Sequence, residues 1–263
     1  MKIVVTVKQV PDTNAEKTLD PTTKRLNRGA VENVLNPFDE YAIEEALRIK
    51  ENLGGDTTVT ILTMAPESGK DVVRKALAMG ADDAAMISDS HVAGSDAMAT
   101  AYLLALALKH IGFDLVLSGT QSTDAINCVV PPAIAERLGV SCLTYAKKVS
   151  LDGANVEIQR ETESGYLTAV APLPAFVSVA KGINEPRYPS LKGIMGAKKK
   201  EIKALSLADI GAEQSCIGEE GSKTLVTSFA PVGARQKGTV VTVSDGKEGA
   251  QKIMEFLIAK KAI

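Results

Sequence analysis

Four short apolar runs separated by helix-length segments constrain the fold of this chain more than any other feature. Residues 3–7 form the first run, 57–64 the second, 83–87 the third and 113–117 the fourth. The first reads as a continuous apolar run, as expected of a strand buried on both faces of a parallel sheet, and the other three are strand-length segments with Thr or Asp among their apolar residues. The intervening segments carry helix signals. Asn36 and Pro37 mark a start, with Asn at the N-cap and Pro at the first helical position. Phe38, Tyr41, Ala42, Ala46, Leu47 and Ile49 then give an apolar face, and Gly54 and Gly55 end it. Further helices are predicted over 67–79, 95–109 and 127–138, the last with Pro131 and Pro132 in its first turn. Parallel neighbours require crossover connections, so this alternation predicts an α/β fold with a doubly wound parallel sheet.

Beyond Gly139 the texture changes. Residues 141–145, 147–151, 155–161, 166–171 and 175–179 are short and rich in Val, Thr and Tyr, and Asp152-Gly153 is a hairpin signal. They predict an antiparallel β-layer or a β extension of the main sheet. From Ser206 onward small residues are scattered with little periodicity until an amphipathic helix over 246–260, which carries Ile253, Met254, Phe256, Leu257 and Ile258. Residues 206–263 therefore read as an extended C-terminal arm appended to a domain of residues 1–205. An arm ending in an apolar helix packs on its own body or on another subunit.

Composition narrows the function classes. A net charge of −2 disfavours nucleic acid as a partner, and the absence of Trp leaves few stacking platforms. Cys128, Cys142 and Cys216 are widely spaced, odd in number and without any CxxC pattern, which gives no disulfide or zinc framework and suits a reducing cytoplasm or organelle matrix, the cytoplasm being the expectation. No apolar run approaches the length of a membrane span, so direct membrane insertion is not expected. His91 and His110 lack ligand-spaced neighbours, and the adjacent pairs Glu44-Glu45 and Asp82-Asp83 point in different directions. With no catalytic constellation evident, the chemistry would belong to a cofactor.

In an open parallel sheet the ligand crevice lies beyond the carboxyl ends of the strands, where strand order reverses. Two loops qualify. One follows the first strand, at Thr6 and Lys8; the other follows the fourth, where Gly119, Thr120, Gln121, Ser122, Thr123 and Asp124 lead to a helix near Asn127. Amides at that helix start are a possible phosphate cradle, although ordinary capping and turn chemistry uses the same residues. The loop is neither a P-loop nor a GxGxxG sequence. It shares hydroxyls with the Ser-Gly-Gly-x-Asp-Ser loop of ATP pyrophosphatases, but it follows the wrong strand and lacks the second Gly.

A further segment, 184–200, reads Asn-Glu-Pro-Arg-Tyr-Pro-Ser-Leu-Lys-Gly-Ile-Met-Gly-Ala-Lys-Lys-Lys. Pro186 and Pro189 stiffen it, and Leu191, Ile194 and Met195 are ringed by Arg187, Lys192 and the lysine run. By physics alone it is either a docking loop or a connector whose leucine folds into the core. Its wording closely resembles the recognition loop of electron transfer flavoprotein beta subunits, and the resemblance runs from Lys2 to about Gly211.

That resemblance implies an adenine-nucleotide hydrolase-like α/β fold. It places AMP, or a second FAD in electron-bifurcating members, at Thr6, Lys8, Asn36, Pro37, Phe38, Asp39, Met64 and the stretch from Gly119 to Asn127, Cys128, Val129 and Val130. It also implies an FAD held mainly by an alpha subunit, packing of the C-terminal arm 206–263 on that subunit, and docking of acyl-CoA-type or other flavin dehydrogenases through Arg187, Tyr188, Leu191, Ile194 and Met195. The chain would then be an electron carrier, with NADH-dependent bifurcation as an alternative. Where many members have an Asp-rich run followed by Asn-Gln-Thr-Gly, this sequence has Asp-Ala-Ile-Asn-Cys-Val-Val-Pro-Pro, so backbone amides would do more of the phosphate binding. A stand-alone ATP- or AMP-binding regulator of the stress-protein kind is the competing reading; it leaves 184–200 and the arm without a role.

Overall fold

The computed structural model describes residues 1–230, 233 and 238–263. The chain opens with β1 (Lys2–Thr6), followed by a two-stranded antiparallel ribbon of β2 (Gln9–Pro11) and β3 (Asn33–Leu35). Then come α1 (Pro37–Leu53), β4 (Thr58–Met64), α2 (Lys70–Met79), β5 (Asp83–Ile87), α3 (Ala97–Ile111), β6 (Leu115–Gly119) and α4 (Val130–Leu138). A meander of β7 (Ser141–Asp152), β8 (Asn155–Thr162) and β9 (Gly165–Pro172) leads to β10 (Ala175–Val179). After it come α5 (Leu191–Lys199), β11 (Ile202–Leu205), the single turn α6 (Gly218–Gly221) and α7 (Gly246–Ala259).

Among the described residues nine strands form one sheet, in the order β11-β5-β4-β1-β6-β10-β7-β8-β9. The strand β1 pairs in parallel with β4 on one side and β6 on the other, with Val5 opposite both Ile61 and Leu117. The chain winds outward from β1 through β4 to β5, then crosses back over β1 to β6. Strand order therefore reverses between β1 and β6, as the sequence predicts. Alternating side chains feed two cores, as the pleat requires. Ile3 and Val5 join Ile43, Val73 and Leu77 beneath α1 and α2. Val4, Val116 and Phe176 join Leu103, Leu108 and Ile134 beneath α3 and α4.

Four features differ from the sequence reading. The expected β-layer is an extension of the main sheet, and β10 is not antiparallel: it lies parallel between β6 and β7, buried on both faces. Residues 141–152 form one strand rather than two, with a register shift between Ala146 and Lys148 where β7 meets β8. The edge strand β11 continues the sheet beyond β5. Residues 206–227, assigned to the arm, belong to the first compact unit, because Ile210 and Ile217 are buried against the α3 side of the core.

That unit spans Met1–Thr227, and a second spans Ser228–Ile263. In the second, Asp245 caps α7 by accepting from the Glu248 amide at 2.8 Å, while Ser244 binds the Glu248 carboxylate in return. Ile253, Met254, Phe256 and Ile258 of α7 are exposed. The stretches 231–232 and 234–237 of the expected arm lie outside the described residues.

Candidate functional site at the strand-order reversal

A cavity of about 880 Å³ opens beyond the carboxyl ends of β1, β4, β5 and β6. Its walls follow from the local sequence. The chain leaves β1 at Thr6 and turns at Lys8, whose amide donates to the Asp39 carboxylate at 2.8 Å. Asn36, almost wholly buried, does not cap α1 with its side chain. Its amide group instead donates to the Gln121 carbonyl at 2.9 Å and accepts from the Thr123 amide at 3.2 Å. The N-terminus of α1 is thus tied to the loop after β6. Gly119 permits this approach: a Cβ there would lie 2.6 Å from Asp39 Oδ1 and 2.7 Å from the Phe38 backbone.

Two carboxylates at this junction sit in opposite electrostatic states. Burial raises the Asp39 carboxyl to about 7, although hydrogen bonds from the Lys8 amide, Asn36 and the Gly119 amide favour the ion. Burial also acts to raise Asp124, but the Lys8 charge, with hydrogen bonds from Lys8, Ser122 and Arg28, outweighs it and holds that carboxyl at about 2. Asp124 Oδ1 is 2.7 Å from Lys8 Nζ, and Asp124 Oδ2 is 2.5 Å from Arg28 Nη2.

The structure brings most of the expected ligand-binding residues to one cavity. Thr6, Lys8, Asn36, Asp39 and Met64 line it, with Gly119, Thr120, Gln121 and Ser122 from the β6 loop and Asn127, Cys128 and Val130 beyond. Pro37, Phe38, Thr123, Asp124 and Val129 are not on its surface, although Thr123 and Asp124 bond to Asn36 and Lys8, which are. The helix start differs from expectation. The helix α4 begins at Val130 rather than Asn127, and Pro131 and Pro132 have no amide to offer. The Val129 amide is taken by Asn127 Oδ1 at 3.1 Å. The cradle of helix amides is therefore poorly supplied with donors. Ile126 and Cys128 hold left-handed backbone conformations in this loop, with φ of 52° and 54°.

Sequence reasoning missed a second wall. Ser88, Asp89 and the stretch from Val92 to Ala97 close the cavity from the β5 side, and Arg28 reaches in from the long loop before β3. The β5 loop follows the third apolar strand, so the rule of carboxyl-end crevices was the available signal. The wall is braced from behind. Asp96 caps α3 through its Oδ1, at 2.9 Å from the Met98 and Ala99 amides, and binds the Lys223 and Thr224 amides through its Oδ2 at 2.8 and 2.9 Å. The lining mixes polar groups with the apolar side chains of Val7, Leu104 and Ile134, and includes Ser118, whose hydroxyl is buried without a protein partner. Such a mixture suits a ligand with a flat, hydrogen-bonding ring and an anionic end.

A second surface is built on α5. Leu191 starts this helix and is 83% exposed, so it does not fold back into the core; Tyr188 and Met195 are 95% and 68% exposed, and Ile194 is 41% exposed. Ser190 caps the helix by accepting from the Gly193 amide at 3.0 Å. Gly193 lets α5 lie against α2, since a Cβ there would be 2.3 Å from the Ala78 carbonyl. Arg187 turns away from the exposed face. Its guanidinium pairs with Glu44 at 2.7 Å and Glu51 at 2.5 Å, anchoring the segment to α1. Lys200 and Arg74 secure the far end through the Ala81 and Ala197 carbonyls, both at 2.5 Å.

Comparison with known proteins gives a consistent answer. A family model described as electron transfer flavoprotein domain matches residues 23–210. The electron transfer flavoprotein subunit beta of Mycobacterium tuberculosis is 44% identical over 99% of both chains. That of Megasphaera elsdenii is 42% identical over 100% of both. The protein FixA of Azorhizobium caulinodans is 38% identical over 93% of this chain and 90% of its own. Among the described residues no helix is long and apolar enough to cross a membrane.

Proposed function

The chain belongs to the electron transfer flavoprotein family as a beta subunit, and from that premise we propose how its two surfaces serve electron transfer. It pairs with an alpha subunit and supplies one wall of the site of an FAD held mainly there. It binds AMP in the crevice between β1 and β6, and meets flavin dehydrogenases through α5. The observation that carries this reading is the joining of α1 to the β6 loop by Asn36, Asp39 and Gly119 around a cavity of about 880 Å³. Small-molecule sites occupy about 300–1,000 Å³, so the cavity is roomy for a mononucleotide. That size is the reason to keep a second FAD in place of AMP as the second reading.

FAD, when bound, supplies the redox chemistry. The residues of this chain then act by placement. Asn36 and Asp39 hold the crevice walls together, while Leu191, Tyr188 and Met195 offer a rigid apolar contact ringed by lysines. Because α5 is pinned at both ends, little ordering entropy is lost when a dehydrogenase docks. Tunnelling falls steeply with distance, so a defined approach of the two flavins is the polypeptide's contribution to rate.

Co-expression with the alpha subunit tests both parts. Nucleotide extracted from the purified heterodimer should contain one FAD and one AMP; two FAD and no AMP establishes the second reading. Leu191→Ala should retain its flavin yet lose most reduction by its dehydrogenase. Undiminished transfer from every dehydrogenase tried overturns the docking role.

A further inference from the structure

We propose that Arg28 and Lys8, gathered on the buried carboxylate of Asp124, bind the phosphate of the crevice nucleotide in place of helix amides. The proposal rests on the nucleotide reading above and adds the phosphate subsite to it. Asp124 has a fully buried side chain and gives one oxygen to each cation, at 2.7 Å to Lys8 Nζ and 2.5 Å to Arg28 Nη2. Lys8 and Arg28 keep 40% and 45% of their side-chain surface exposed, and both line the cavity. Two cations against one carboxylate leave this three-residue cluster with a net positive charge.

Donor capacity points the same way. Lys8 donates to Asp124 and, at 3.2 Å, to Ser122 Oγ, leaving one of its three protons free. Arg28 contacts Asp124 through Nη2 alone and retains the rest of its planar fork, the geometry that suits phosphate oxygens. Its backbone is positioned as well, because Asn33 Nδ2 donates to the Arg28 carbonyl at 2.8 Å. The competing donor set is depleted: Pro131 and Pro132 remove two amides from the first turn of α4, and Asn127 occupies that of Val129. An anion in this crevice therefore finds its strongest partners in side chains, and Arg28 comes from a loop far from both strands that define the pocket.

The test is titration of the heterodimer, freed of exchangeable nucleotide, with AMP, adenosine and FAD. Wild type should prefer AMP to adenosine. Arg28→Ala and Lys8→Met should each weaken AMP by about tenfold or more, the scale of a lost charge-assisted hydrogen bond, while adenosine affinity is unchanged. Arg28→Lys, which keeps the charge but loses the fork, should fall between wild type and Arg28→Ala. If FAD is the occupant, the same losses appear with FAD instead of AMP. Equal weakening of AMP and adenosine means the cluster only shapes the pocket and overturns the proposal, as does unchanged AMP and FAD affinity in both variants. Failure of wild type to bind any of the three overturns the nucleotide reading itself, and this subsite with it.

Discussion

Burial acts to raise both Asp39, in the first turn of α1, and Asp124, in the loop after β6, but the cations on Asp124 reverse its net shift, which makes the two separable by pH. Asp39 has a folded value of about 7 against an ordinary 3.8, so folding favours its protonated form. Its stabilising contribution is complete below about pH 4 and is lost as pH rises towards about 7, on the order of 4 kcal/mol at most. Asp39→Asn should therefore flatten the dependence of the urea midpoint between pH 4 and 7; an unchanged slope refutes this account. Asp124 has the reverse sign. Its value of about 2 means that its contribution persists at neutral pH and fades only as pH falls from about 4 to about 2. Gly119 is the third critical position. Gly119→Ala places a Cβ 2.6 Å from Asp39 Oδ1 and against the Phe38 backbone, and should cost about 1–3 kcal/mol with weaker nucleotide retention. Loss of retention without loss of stability would show that the close approach matters only to the ligand.

At the scale of elements, α5 is held by the close approach at Gly193 and by the Arg187 ion pairs, and each predicts a different defect. Gly193→Val drives a side chain into the Ala78 carbonyl of α2, a backbone atom that cannot swing aside. Dehydrogenase-dependent reduction should fall while nucleotide content stays constant, because α5 lies on the α1–α2 face and the cavity opens at the strand ends. Arg187→Ala removes the ion pair that meets Glu44 on α1, leaving a carboxylate that is 5% exposed with Arg48 at 3.2 Å as its ion-pair partner and the residue 187 backbone amide at 3.1 Å. A stability loss of about 1–3 kcal/mol is expected, discounted for the partial exposure of Arg187. A double variant combining Arg187→Ala with Glu44→Ala should recover part of that loss; full additivity would show that the two residues act independently. The same elements explain what a residue-by-residue reading misses. Arg187 has the composition of a docking cation, yet the nearby carboxylates of α1 orient it inward.

At the scale of the molecule, the division at Thr227 predicts that residues 1–227 fold alone, with an unfolding free energy in urea within about 0.5 kcal/mol of the full chain, and retain the crevice. The truncated chain should fail to hold the alpha subunit, which size-exclusion chromatography of the co-expressed pair would read directly. Failure of residues 1–227 to fold would place the boundary elsewhere. Local sequence determined the alternation of β1, β4, β5 and β6 with their helices, and with it the crevice between β1 and β6. Apolar runs, caps, prolines and glycines act over a few residues and leave a legible pattern. Tertiary structure alone decided that β10 slips between β6 and β7, that residues 206–227 pack on α3, and that Arg28 and Lys8 meet on Asp124. Lys8 and Asp124 lie 116 residues apart and Arg28 and Asp124 lie 96 apart. Those pairings arise from desolvation and charge balance between distant segments, which no short window of sequence contains.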